Sequence, residues 1–503
     1  NHSYLDNLTF RGMRQSLLKT FDDIYILDLH GNSKKKEICP DGSLDQNVFD
    51  IQQGVAIGIF IKYHNSSSNL AKVYHADLWG KREIIENQVI VGGKYHWLEE
   101  NDLYSTSWQE LQPDSPFYLF KPQNINLRSE YDQFWKITEI MPINSVGIVT
   151  ARDSLTIQWN KKEIWDIIND FVNLSPEEAR IKYNLGKDSQ DWKIDLAQKD
   201  VKQSNLSKDN LLPISYRPFD QRYTYYTGNS GGFHCRARID TMRHLKENNL
   251  GFHICRQIVS ETWQHILITN QLTDDSYVSN KSRERGYTMP LYCYPETQAE
   301  KDMGMSRRPN LAPEFINKLS AKLELEFIND GKGDEKKTFG PEDIFNYIYA
   351  VFHSPQYRQR YAEFLKIDFP RVPLTSNQEL FWELVKKGDR LVQLHLMKAT
   401  GKEISSYPVA GSNLVEQVKY NENKQQISIN SDQYFAGIPP QIWNFYIGGY
   451  QVCQKWLKDR KGRHLSYDDL EHYQQIISIL GESIAIMETI DIIINKYGGF
   501  PFS

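Results

Sequence analysis

Apolar positions set the first divisions of the chain. From Thr9 to Phe21, Met13, Leu17 and Leu18 fall on one face, and this spacing predicts a helix. Ile24-Tyr25-Ile26-Leu27-Asp28-Leu29 is a β-branched, apolar run that ends at the turn signal His30-Gly31-Asn32. The polar stretch from Lys34 to Asp50 reads as a loop. Val55-Ala56-Ile57-Gly58-Ile59-Phe60-Ile61 is continuously apolar, which predicts a strand buried on both faces. Helix, strand, loop, strand is the layout at the end of an α/β sheet domain. A core closed on both sides would need further strands.

Beyond Tyr63 the pattern is mixed. Residues 73–79 alternate like a strand, and Val146 to Thr150 is a short buried strand that stops at Ala151-Arg152-Asp153. Lys161 to Val172 carries Ile164, Trp165, Ile168 and Phe171 at helical spacing. Asp188 to Asp209 is polar and reads as a surface helix or linker. Pro213 to Pro295 is rich in aromatics and arginine and reads as β-structure with loops, followed by a polar linker from Glu296 to Asn310. From Leu311 the chain is mostly helical. Gly340-Pro341-Glu342-Asp343 opens a helix to about His353, and Ser354-Pro355 starts another. Ser466-Tyr467-Asp468-Asp469 has the form of a capping box, ahead of a stripe of Leu470, Tyr473, Ile477, Leu480, Ile484, Met487 and Ile490. The expected fold is α/β and α+β, divided as 1–63, 64–310 and 311–503.

Composition excludes several classes. The 503 residues carry 59 Lys and Arg against 64 Asp and Glu, a formal charge of -5, so no uniformly basic coat is present. No apolar run reaches the length of a membrane span, and there is no secretory signal pattern. The five cysteines are scattered and never form a CxxC pair, which points to reduced thiols in a cytoplasm and to no metal site. No P-loop, HExxH, GxSxG or strand-following GxGxxG occurs, and no catalytic residue is assigned.

The most informative stretch is Tyr216-Arg217-Pro218-Phe219-Asp220-Gln221-Arg222-Tyr223-Thr224-Tyr225-Tyr226, continuing through Phe233-His234-Cys235-Arg236-Ala237-Arg238. Between 216 and 256, seven cations (Arg217, Arg222, Arg236, Arg238, Arg243, Lys246, Arg256) face three acids (Asp220, Asp240, Glu247). Arginine's planar fork grips phosphate or the guanine edge, and interleaved aromatics stack on bases. The glycine-rich loop 227–232 can let backbone approach a phosphate. The same composition also suits an Arg/Tyr-rich sheet whose arginines pair with Asp220 and Asp240.

Asn1-His2-Ser3-Tyr4-Leu5-Asp6-Asn7, Phe10-Arg11-Gly12-Met13-Arg14 and residues 24–32 resemble the adenine-N6 methyltransferase domain of type IIG and type ISP restriction–modification enzymes. Val48-Phe49-Asp50-Ile51-Gln52-Gln53-Gly54-Val55 resembles the later segment near the flipped base. Residues 147–153, 216–220, 233–236, 275–277, 308–311, 339–345 and 367–373 resemble the family's C-terminal specificity region. The Gly-rich S-adenosylmethionine motif and the Asn/Asp-Pro-Pro-Tyr loop are missing.

The resemblance implies a partial Rossmann-like methyltransferase sheet end over 1–63. It implies a mixed β-rich target-recognition domain over 64–310 and a mainly helical part of the specificity region over 311–503. It implies a DNA-recognition portion that binds duplex DNA and presents adenine to a catalytic core outside this chain. Arg152, Arg217, Arg222, Tyr225, Arg236, Arg238, Arg243 and Arg256 are the expected DNA contacts. Asn1, Ser3, Phe49 and Gln53 are expected on the base-flipping side. No cofactor is expected in this chain, and S-adenosylmethionine would serve the complete enzyme. The expected partners are N-terminal methyltransferase, helicase and nuclease portions of the same enzyme, or a split partner chain. The alternative is a non-catalytic module that docks on a methyltransferase or helicase.

Overall fold

The first predicted helix forms as α1 (Arg11–Thr20) and leads into β1 (Asp23–Asp28). In this computed structural model the described residues are 1–33, 37–64, 70–115, 117–122, 124–282, 284–296, 300 and 306–502. Part of the loop predicted from Lys34, and most of the linker predicted from Glu296, lie outside them. The chain divides into Asn1–Arg128 and Ser129–Ser503.

In the first unit, β1 pairs antiparallel with β2 (Ala56–Ile61) and parallel with β3 (Lys72–Asp77). β4 (Ile84–Glu86) and β5 (Val89–Gly92) make a separate hairpin before α2 (Lys94–Glu100). β6 (Gln109–Leu111) completes the main sheet in the order β2-β1-β3-β6. Leu5, Leu18, Ile24, Ile26, Val73 and Phe120 pack into one core. The sheet's central pairing of β1 with β3 carries this unit past position 63, where the sequence reading divides it. The expectation of a strand buried on both faces is corrected. β2 is an edge strand whose Ile57 and Ile59 are 38% and 41% exposed, because an apolar run reports composition and not which face gains a cover.

The first half of the second unit includes β7 (Ser145–Val146), α3 (Asp153–Thr156), α4 (Lys161–Phe171) and α5 (Ile194–Gln203). The hairpin β8 (Leu211–Arg217) and β9 (Asp220–Tyr225) follows. β10 (Gly251–Cys255), β11 (Ile266–Thr269), β12 (Leu272–Thr273) and β13 (Gly286–Pro290) complete two sheets, β9-β8-β12 and β11-β10-β13-β7. Ile164, Ile168 and Phe171 of α4 are fully buried at the predicted spacing. They meet Ile194, Ala197 and Val201, so α5 is a core helix on one face and not a surface linker.

Helices α6 (Pro313–Leu323), α7 (Pro341–His353), α8 (Gln378–His395), α9 (Val452–Lys458) and α10 (Tyr467–Lys496) supply the C-terminal part. The starts of α7 and α10 were legible. Asp343 accepts from Gly340 N at 2.9 Å, Asp469 Oδ2 accepts from Ser466 N at 3.0 Å, and Ser466 Oγ accepts from Asp469 N at 3.1 Å. The Phe252 ring of β10 stacks on Phe345 of α7 at 3.8 Å. The β-rich and helical parts thus share one interior across position 310. Among the described residues no helix is long and apolar enough to cross a membrane.

Candidate nucleic-acid interface

The β8–β9 hairpin turns at Phe219, whose φ of +57° puts a non-glycine residue in the left-handed region. This turn points Asp220 inward, where it is 3% exposed. Arg222 holds both Asp220 oxygens, with Nε at 3.0 Å and the terminal nitrogen at 2.7 Å. Arg460, from the segment after α9, donates to Asp220 Oδ1 at 3.0 Å. Burial pushes the Asp220 carboxyl up, but Arg460 and Arg222 outweigh it and hold it below the usual carboxylate range. The Trp159 ring lies under the guanidinium carbons of Arg222 at 3.1 Å, Arg463 at 4.1 Å and Arg460 at 4.9 Å.

Three expected DNA contacts are corrected here. Arg217 is 7% exposed and donates to Asp274 at 2.7 Å, with Asp153 at 3.6 Å. Arg222 is 6% exposed and committed to Asp220. Tyr225 is fully buried in the α4–α5 core and its hydroxyl bonds Ser204 at 2.6 Å. These side chains close the interior, and a duplex outside it has no access to them. The 227–232 loop is corrected too. Buried Asp200 accepts from Thr227 Oγ1, Asn229 Nδ2 and Phe233 N at 2.7–2.8 Å, so a carboxylate already fills the concavity expected to take phosphate. Gly232 is required there, since a Cβ would stand 2.3 Å from Asp200 Oδ2.

Other expected contacts do converge. Arg236 and Val149 exchange backbone bonds at 3.0 and 3.1 Å, which brings Arg236 beside the Ala151-Arg152 turn. Arg152 donates to the carbonyls of Leu185 and Lys187 at 2.7 and 2.9 Å and lies over Trp192. Gly147 N donates to Gly286 O at 3.1 Å, which brings Arg285, a residue the sequence reading missed, to the same strand. Arg285 is 63% exposed at the side chain and 3.8 Å from Asp275. These backbone bonds set the segments that bear Arg152, Arg236, Arg238 and Arg285 side by side as one rim, although Arg236 is paired with Asp191 at 2.8 Å.

Arg243 and Arg256 do not join it. Arg243 precedes β10 and faces Tyr294 O and Glu296, whereas Arg256 follows β10 and bonds Asp368 at 2.9 Å. The rim's support is a buried knot. Glu284 accepts from the Val259 and Ser260 amides at 2.7 and 2.9 Å, from Ser279 Oγ at 2.6 Å and from His265 Nε2 at 2.9 Å. It fixes the turn that displays exposed Lys281 and Arg285.

In the first unit, Asn1 Nδ2 donates to Gln53 Oε1 at 2.8 Å, and Asn1 Oδ1 accepts from Ser3 N and Oγ at 2.9 and 2.7 Å. Three of the four residues expected on the base-flipping side therefore meet, and Phe49 projects with 55% exposure. Behind them His2 Nδ1 bonds Asp28 at 2.9 Å, and His30 Nε2 bonds Asp77 at 2.8 Å. His2, Asp28 and His30, or Asp28, His75 and Asp77, are close enough to hold a metal ion, a grouping that the sequence reading did not assign. Lys121 at 3.1 Å from Asp28 already supplies the positive charge in that place.

Comparison with solved structures places this architecture among known folds. A structure described as the ATP-dependent Type ISP restriction-modification enzyme LlaBIII bound to DNA matches with a TM-score of 0.67 and 19% identity, covering 97% of this chain and 32% of that one. A nuclease-deletion mutant of the Type ISP enzyme LlaGI in complex with a DNA substrate mimic matches at 0.62 and 19% identity, over 97% of this chain and 38% of that one. A DrdV–DNA complex matches at 0.63 and 21% identity, over 98% and 49%. This chain therefore spans about a third to a half of those chains. No curated protein matches significantly. The family model described as the Type ISP C-terminal specificity domain matches residues 139–489, and the chain belongs to that family.

Proposed function

We propose that this chain is the DNA sequence-recognition portion of a bacterial restriction–modification adenine-N6 methyltransferase. In this reading it binds duplex DNA and presents the target adenine to a catalytic core outside the chain. The observation that carries the reading is the set of backbone bonds that gathers the segments bearing Arg152, Arg236, Arg238 and Arg285 within the specificity region itself. Phosphate contacts from this rim set the register, and base-edge contacts by the same forks specify the site. Asn1, Ser3, Gln53 and Phe49 line the side from which the extruded base is approached. S-adenosylmethionine serves the complete enzyme and is not held by this chain. The partners are the methyltransferase, helicase and nuclease portions of the same enzyme or a split partner, in the cytoplasm.

The test is duplex binding by fluorescence anisotropy across salt concentrations. Affinity is expected to fall steeply, with a log–log slope of about 0.9 per neutralised phosphate. Binding that is absent at low salt removes the reading. A second reading, docking on a methyltransferase or helicase, is favoured by the β4–β5 hairpin, where Ile85 and Val89 are 59% and 61% exposed. It predicts no salt-sensitive duplex binding.

A further inference from the structure

The cations least engaged within the protein lie beside the arginine-rich hairpin and not in it. Arg217, Arg222, Arg236, Arg243 and Arg256 each have a carboxylate within 4.0 Å. A cation already paired with a carboxylate must give up that partner to neutralise a phosphate and displace the DNA's condensed counterions, so it adds little to salt-dependent affinity. The knuckle around Trp159 is different. Lys161 and Lys162 open α4 immediately after Trp159-Asn160, and both are exposed. Lys461 and Arg463 come from the turn between α9 and α10, and both are exposed. Arg463 is laid on the Trp159 ring at 4.1 Å, which brings this turn to the start of α4 across some 300 residues of sequence. Among the described residues none of the four has an ion-pair partner.

The acids nearby are mostly spent. Glu163 turns back to accept from Trp159 N at 3.2 Å and Asn160 Nδ2 at 2.9 Å. Asp459 holds Lys455 at 2.6 Å. Asp469 caps α10 and faces Arg460 at 3.7 Å, and Asp220 is enclosed by Arg222 and Arg460. Asp166 on α4 and Asp468, Glu471 and Glu488 on α10 are the exposed acids of the two adjoining helices. Arg463 is also pre-ordered: stacking on an indole fixes the plane of its fork before any ligand arrives, so less side-chain entropy is lost on binding.

We propose that Lys161, Lys162, Lys461 and Arg463, gathered at Trp159, form a phosphate-gripping strip for the backbone of duplex DNA. This assignment rests on the reading of the chain as a duplex binder and adds where the unneutralised charge of that grip resides. The strip carries no base discrimination. It adds phosphate contacts to those of the Arg152–Arg285 rim, and only the rim reads bases.

The experiment compares the full chain with a variant carrying Lys161→Gln, Lys162→Gln, Lys461→Gln and Arg463→Gln, titrated on duplexes of unrelated sequence from about 50 to 200 mM salt. The log–log slope is expected to drop by about 2 to 4 and low-salt affinity by ~100-fold, equally for every sequence. A control variant with Lys318, Lys322, Lys336 and Lys337 changed to Gln keeps the parent slope. If the quadruple variant melts early, Lys461→Gln with Arg463→Gln alone is expected to give about half the slope change. An unchanged slope in a folded variant, or an equal loss in the control, overturns the strip while leaving duplex binding intact. Absence of binding by the parent chain overturns the underlying reading instead.

Discussion

Asp220 and Arg460 are 240 positions apart and meet at 3.0 Å in the interior. Asp220 closes the tip of the β8–β9 hairpin, and Arg460 follows α9 and lies over Trp456 at 3.4 Å. With Arg222 on the same carboxylate, one acid compensates two buried guanidinium groups. Removing it strands Arg222 and leaves Arg460 only Asp469 at 3.7 Å. Asp220→Ala is expected to cost about 3–5 kcal/mol, read as a lower melting temperature. A loss under about 1 kcal/mol would show that the two arginines find other partners.

The corrected and surviving arginines separate by the kind of defect each produces. Arg222→Ala and Tyr225→Ala are expected to lower stability, because each empties a buried position. Arg236→Ala together with Arg238→Ala is expected to leave the melting temperature within about 2 °C and to weaken duplex binding roughly 10-fold. Unchanged affinity in that folded double variant removes the rim from the interface.

Glu284 anchors the rim from below. Glu284→Ala leaves His265 and the Val259 and Ser260 amides without their acceptor, a loss of about 3 kcal/mol. Hydrogen exchange at those two amides is the direct measurement, and faster exchange there with β10 still protected is the expected pattern. Uniform acceleration through β10 would mean global destabilisation and not local release.

Acid stability has a two-stage form. Burial pushes His234 down to about 4 and His253 and His395 down to about 3. Between pH ~6.5 and those values the unfolded chain takes protons that the folded chain refuses, so stability falls as pH drops through that window. Burial also pushes the Glu284 carboxyl up, but bonds from His265 and Ser279 outweigh it and leave it below the usual range. Its contribution is present above the unfolded carboxylate value near 4.3 and is lost as pH falls further. Melting temperatures measured from pH 7 to 3 are expected to decline first across the histidine window. A flat profile from pH 6.5 to 4 would show those imidazoles are not buried as neutral rings.

Local signals were legible from residues alone because their partners are neighbours. The Ser466–Asp469 and Gly340–Asp343 caps span three residues, and the Ile164, Ile168 and Phe171 spacing states which helical face is buried. The concentration of arginine in 216–256 was equally readable, as was the resemblance that the family match over 139–489 supports at the level of the specificity domain.

Tertiary structure alone decided what each charge does. Arg217 meets a carboxylate 57 positions away, Asp220 a guanidinium 240 positions away, and Arg463 the ring of Trp159 from the far end of the chain. The charge count of a segment is a property of its sequence, but whether a guanidinium is neutralised inside or left for a ligand depends on which distant acids the fold brings within about 4 Å to offset its desolvation. The same holds for β2: its apolar run ensured a strand, and only the assembled sheet determined that Ile57 and Ile59 would stand at an edge.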